Sequence, residues 1–152
     1  MTFSNITGAR VRGVEAEVEH RWGQGLRLKA AYGWQQANNA WTGEPLVNAP
    51  RHLAKIQWSG PFGNFPGATW THGRLGLELI GVSSRLSPSS RVAGHVLAHL
   101  TYSATLSRST DLSFSIRNLF DRRYADPASF EIRGHSLLQD GRSLRVKLTH
   151  RF

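Results

Sequence analysis

Apolar and polar residues alternate with a period of two along most of the chain, and no long helical pattern competes with that alternation. Between 14 and 22, Val14, Ala16, Val18, His20 and Trp22 share one face, and Glu15, Glu17, Glu19 and Arg21 share the other. Gly23-Gln24-Gly25 carries the signal of a tight turn. Leu26, Leu28, Ala30, Tyr32 and Trp34 then alternate with Arg27, Lys29, Ala31, Gly33 and Gln35, so the two segments predict a hairpin. Further strands are expected at about 51–59, 70–83, 94–106, 112–117 and 143–152. The last places Leu144, Val146, Leu148, His150 and Phe152 opposite Ser143, Arg145, Lys147, Thr149 and Arg151. Trp70 has the wrong parity for the apolar face of its strand, which a bulge or a turn position would explain.

Seven antiparallel strands with no linker follow, so the predicted class is all-β. The connections tend to alternate between shorter turns and longer polar loops, with irregular chain expected over 84–93 and 118–141. Membrane barrels have that asymmetry, and an 11-residue strand tilted by about 40° spans roughly 28 Å, near hydrocarbon height. A soluble sheet with one buried face alternates in the same way. Two features favour a lipid-facing apolar side. The polar faces carry long charged runs, and Trp22, Trp34, Trp58 and Phe152 lie near strand ends, as interfacial aromatics do. Seven strands cannot close a single-chain bacterial barrel, whose strand number is even, so the membrane reading implies an incomplete chain.

Composition narrows the choice only a little. The chain has 152 residues, 39% of them hydrophobic, and its longest apolar runs are far short of the roughly 20 residues a membrane helix needs. That says nothing against a strand-built membrane protein. Cysteine is absent, which excludes disulfides and cysteine-based metal sites. Residues 1–13 contain no apolar stretch of signal-peptide length, leaving either a cytosolic protein or an exported one whose start lies upstream. A formal charge of +9 suggests nucleic acid, anionic lipid or an acidic ligand. The positive residues alternate along strands instead of forming one stripe, and no recognised nucleic-acid motif occurs, so the expected partners exclude nucleic acid.

The tail carries more specific signals. Asn118, Leu119, Phe120, Asp121 and Tyr124 form an N-L-F-D-x-x-Y element, and the chain ends in an alternating strand closed by Phe152. Upstream, Gly13-Val14-Glu15-Ala16-Glu17 reads G-x-E-x-E, and Asn48-Ala49-Pro50-Arg51-His52 reads N-x-P-x-H. In this order and spacing the four elements resemble the C-terminal end of a TonB-dependent outer-membrane receptor. The resemblance implies that residues 1–152 are about the last seven strands of a 22-stranded transmembrane β-barrel, with its plug domain absent. It implies uptake of a ferric siderophore or similar iron complex across a Gram-negative outer membrane, not an enzyme, and no cofactor. Implied partners are outer-membrane lipid and lipopolysaccharide, the plug and N-terminal strands, TonB through the missing N-terminal part, and the barrel assembly machinery. Leu144, Val146, Leu148 and Phe152 match the family's C-terminal assembly signal; His150 stands where an aromatic is usual. In this light the lack of a signal peptide reads as truncation. The competing class is a soluble basic antiparallel β domain that binds nucleic acid or an anionic ligand.

The remaining candidates are weaker. His95 and His99, on one strand face, stand about 13 Å apart, too far to share a metal without a bend. Glu15, Glu17 and Glu19 are spaced loosely like paired acids, but opposite Arg27 and Lys29 they are expected to form an ion-pair ladder. Arg85, Arg91, Arg122, Arg123 and Arg133 fall in predicted loops, where they could meet lipopolysaccharide phosphates; alternatively, the basic excess lines a lumen that attracts anionic ferric chelates. The ligand-binding residues cannot be read from the sequence.

Overall fold

The computed structural model describes residues 8–62, 71–129 and 134–152. Its strands are β1 (Ala9–Arg21), β2 (Arg27–Asn39), β3 (His52–Pro61), β4 (Thr71–Val82), β5 (Arg85–Leu86), β6 (Arg91–Val92), β7 (His95–Ser107), β8 (Thr110–Arg117), β9 (Ala125–Pro127), β10 (Ser136–Leu138) and β11 (Ser143–His150). Seven of them form one sheet in the order β1-β2-β3-β4-β7-β8-β11, every neighbour antiparallel. Each long strand pairs with the next long strand in the chain, the usual arrangement of sequential strands, even where the connection between them is long.

The register shows how local alternation becomes a two-faced sheet. One row crosses all seven strands as His20, Leu28, Trp58, Leu77, Leu100, Ile116 and Leu144. The adjacent row on the opposite face runs Arg21, Arg27, Ser59, Gly76, Thr101, Ser115 and Arg145. A slip of one residue at any pair would send charges to the apolar side, so the pattern enforces the register.

No described residues form a layer over the apolar face. Val14, Val18, Val96, Leu144, Val146 and Leu148 are each more than 60% exposed. Among the described residues no large side chain is fully buried, and the buried apolar set is Val92, Leu97, Ala98, Ala104 and Ala128. A soluble sheet would place a second layer here; a contiguous apolar surface of this extent instead marks a contact with another phase or another chain.

Two strands run farther than the alternation suggested. β1 begins at Ala9 and pairs with β2 out to Asn39. The early part was hidden because the alternation changes phase near Gly13: Arg10 and Arg12 take the side that Val14, Ala16 and Val18 occupy lower down. Gly13 itself is needed by a close approach, since a Cβ there would come within 2.8 Å of the Trp34 carbonyl oxygen. The parity problem at Trp70 lies outside the described residues, but a register shift between Thr71 and Arg74 follows directly after it.

The two segments expected to be irregular each contain a small hairpin. β5 pairs with β6, and β9 with β10. The alternation could not reveal them because two- and three-residue strands are too short to show a period.

Candidate functional site

Polar chemistry concentrates in two places: the polar face of the sheet and the layer of long connections at one end of it. On the face, Lys29 Nζ lies 2.9 Å from Glu17 Oε1 and Arg27 Nη2 donates to Glu19 Oε2 at 2.8 Å. Glu17 and Glu19 thus form rungs of the expected ion-pair ladder, whereas Glu15, opposite Gly33, is in no ion pair with a described residue. Lys55 lies 2.8 Å from Glu78 Oε2, which also accepts from the Gln57 amide at 2.6 Å. An open depression of about 440 Å³ on this face is lined by Arg27, Lys29, Glu78, His99, Arg117 and Arg145, among others. Its carboxylate is taken up by Lys55. Arg117 and Arg145 have no ion pair with any described residue, so the depression carries surplus positive charge.

The long connections interlock through Arg85. Its Nη2 donates to Asp126 Oδ1 at 2.5 Å and to the Ala125 carbonyl at 3.5 Å, and its Nη1 donates to Asn48 Oδ1 at 3.3 Å. The side chain is only 11% exposed. Arg85 is therefore not available to lipopolysaccharide; its guanidinium is spent inside the loop layer, a pairing over 41 positions that no local pattern reveals. Asn48 N–H also donates to the Leu86 carbonyl, and the Ser87 hydroxyl bonds the His135 carbonyl. Arg91, Arg122 and Arg123 are exposed, and Arg133 lies outside the described residues.

The N-L-F-D-x-x-Y element is the clasp that starts the last connection. Asn118 is 3% exposed and has φ of 51°, a left-handed conformation that asparagine tolerates better than most residues. Its amide Nδ2 donates to the Arg122 carbonyl at 2.9 Å, and its Oδ1 accepts from Arg122 N–H at 2.8 Å. Its own N–H donates to His99 Nδ1 at 3.0 Å. Leu119 N–H donates to the Ala98 carbonyl. Asp121, with φ of 52°, accepts from Arg142 N–H at 2.7 Å; a Cβ at position 141 would stand 2.8 Å from its Oδ1, which suits Gly141. Tyr124 lies against His95 with ring centroids 4.5 Å apart, while Phe120 is 78% exposed. His95 and His99 thus face different partners.

The final strand pairs with β8 through Leu144↔Ile116, Val146↔Phe114 and Leu148↔Leu112. His150 sits edge-on to Phe152, centroids 4.8 Å apart, and its Nδ1 meets the Thr110 hydroxyl at 2.8 Å. The imidazole thus fills an aromatic's place at the end of the strand. Trp22 and Phe152 lie at the short-turn end and Trp58 toward it; Trp34, opposite Val14 and His52, lies toward the long-loop end. The sequence marks Arg85 only as a loop cation and does not single out Asp126 or Gly141, because the partners of all three are distant along the chain.

Comparison with known proteins decides the family. The domain family described as "TonB dependent receptor-like, beta-barrel" matches residues 1–119. This chain belongs to that family. The solved copper transporter OprC superimposes on this chain with a TM-score of 0.73 at 18% identity, over 95% of this chain and 24% of that one. BauA, the ferric preacinetobactin receptor of Acinetobacter baumannii, gives 0.76 at 18% identity over 93% and 22%. FpvA of P. aeruginosa, solved with heterologous pyoverdines, gives 0.76 at 16% identity over 93% and 19%. This chain therefore spans about a quarter or less of the length of these structures. No curated protein matches it. TonB-dependent receptor barrels are outer-membrane proteins that act as receptors and transporters with a plug and TonB, and the soluble basic alternative gains no support.

Proposed function

We propose that residues 1–152 are the C-terminal part of the β-barrel of an outer-membrane TonB-dependent receptor that takes up a ferric siderophore or a similar iron complex. The observation that carries this reading is the pair of faces: an apolar side that no described residues cover, and a polar side with surplus arginine. The apolar side suits lipid, with Trp22, Trp34, Trp58 and Phe152 as interfacial aromatics. The polar side suits a lumen, where Arg117 and Arg145 would attract anionic chelates. On this reading the short turns are periplasmic and the Arg85 loop layer is extracellular. The plug and preceding strands complete the barrel, TonB acts through the plug-bearing part, and outer-leaflet lipopolysaccharide surrounds it. Leu144, Val146, Leu148 and Phe152 present the signal for the barrel assembly machinery.

The test is growth on a panel of iron sources by a strain lacking the complete receptor. Loss of growth on one siderophore, restored by the wild-type gene and poorly by one carrying Arg117→Gln and Arg145→Gln, is expected. A monodisperse monomer of this chain that unfolds cooperatively in plain buffer would overturn the membrane reading.

A further inference from the structure

The phase change in β1 places two arginines on the wrong side for a strand in lipid. Below Gly13, the face shared by β1 and β2 is apolar: Val14 opposite Trp34, Ala16 opposite Tyr32, Val18 opposite Ala30. Above Gly13, the same face carries Arg12 opposite Gln36 and Arg10 opposite Asn38. Alternate residues of a strand lie about 7 Å apart on one face, and tilted as in a membrane barrel Arg12 and Arg10 stand roughly 5 and 10 Å above Val14. That height is where hydrocarbon gives way to headgroups, with Trp34 just below as an interfacial aromatic.

No described carboxylate offsets the charge there. Gln36 and Asn38 are neutral, and both arginines are exposed. The carboxylates in ion pairs are Glu17, Glu19, Glu78, Asp111 and Asp126, and none reaches Arg10 or Arg12 among the described residues. Another strand added along the free edge of β1 would pair through backbone groups and leave the facing of these side chains unchanged.

We infer that Arg10 and Arg12 form a binding site for the phosphate of an outer-leaflet lipid. The inference rests on the proposal that the apolar face spans the outer membrane, and names a lipid site that the loop arginines do not supply. Guanidinium forks suit phosphate oxygens bidentately, and two forks on one face can hold one headgroup from below and above.

The complete receptor, purified from the outer membrane into phosphatidylcholine nanodiscs with and without added lipid A, tests it. Lipid A bound per receptor would be counted by native mass spectrometry. Arg10→Gln and Arg12→Gln are expected to weaken the tightest lipid A site about five-fold each and about thirty-fold together, at about 1 kcal/mol per arginine at a membrane surface. Arg10→Lys with Arg12→Lys should keep part of it, and Lys147→Gln on the opposite face should change nothing. Inorganic phosphate is expected not to compete, which separates a lipid site from a free-anion site. Wild-type lipid A retention by the double glutamine variant, or displacement by inorganic phosphate, overturns the inference. A wild-type receptor that never enters the outer membrane overturns the membrane reading, and the site with it.

Discussion

The seven-strand sheet and the loop layer at its end are stabilised in opposite ways. The sheet repeats one rule at every pair, apolar on one side and polar on the other, so each position has many equivalents. The loop layer depends on a few polar residues, each with partners that nothing else supplies. Arg85 joins Asn48, Ala125 and Asp126, and Asn118 joins His99 and Arg122. A damaged sheet position is therefore expected to cost according to its face, whereas a damaged loop residue costs according to the contacts it loses.

The sharpest break of that contrast would come from Leu77. In the assembled barrel Leu77→Arg is expected to cost about 2–4 kcal/mol by urea titration in lipid, since it puts a charge on the face proposed to meet lipid. Equal tolerance of arginine at Leu77 and at Glu78 would show that the faces are not distinct. Next is Asn118→Ala, which removes a buried amide with two short partners and puts alanine in the left-handed region. A loss of about 2–3 kcal/mol is expected from the same titration. Asn118→Gly relieves the backbone but not the lost amide, so it should recover only part. Arg85→Ala is expected to cost about 1–2 kcal/mol and to open 83–94 and 118–129 to protease together, because one side chain joins both. Cleavage of one segment without the other would argue that they are not coupled. The smallest effect belongs to the polar face: Lys29→Gln breaks an ion pair with the half-exposed Glu17 and should change stability by under about 1 kcal/mol.

The loop layer also shows why part of the site escaped the sequence. Asn118, Asp121 and Tyr124 were visible as a motif, because its residues lie close together in the chain. The reason for the motif was not visible: two of its members have positive φ, and Asp121 crowds position 141 so that glycine suits it. Arg85 looked like a solvent-facing loop cation, because its sequence neighbours Ser83, Ser84, Ser87 and Pro88 are turn formers. Asp126 cancels that impression only after β9 folds back. The start of β1 was missed because its alternation inverts at Gly13, where a face leaves the apolar zone.

The sequence by itself determined that strands form, which side chains share a face of each, and that His95 and His99 are too far apart to share a metal without a bend. Those properties depend on a period of two and a rise of about 3.4 Å per residue, and both act within a few residues. Only the tertiary structure decided that seven faces join into one apolar surface that no described residues cover, that Arg85 is half-buried, and that Arg10 and Arg12 stand on the side of that surface. Each of those depends on register or on contacts between distant segments, and local patterning carries no information about which distant segments will meet.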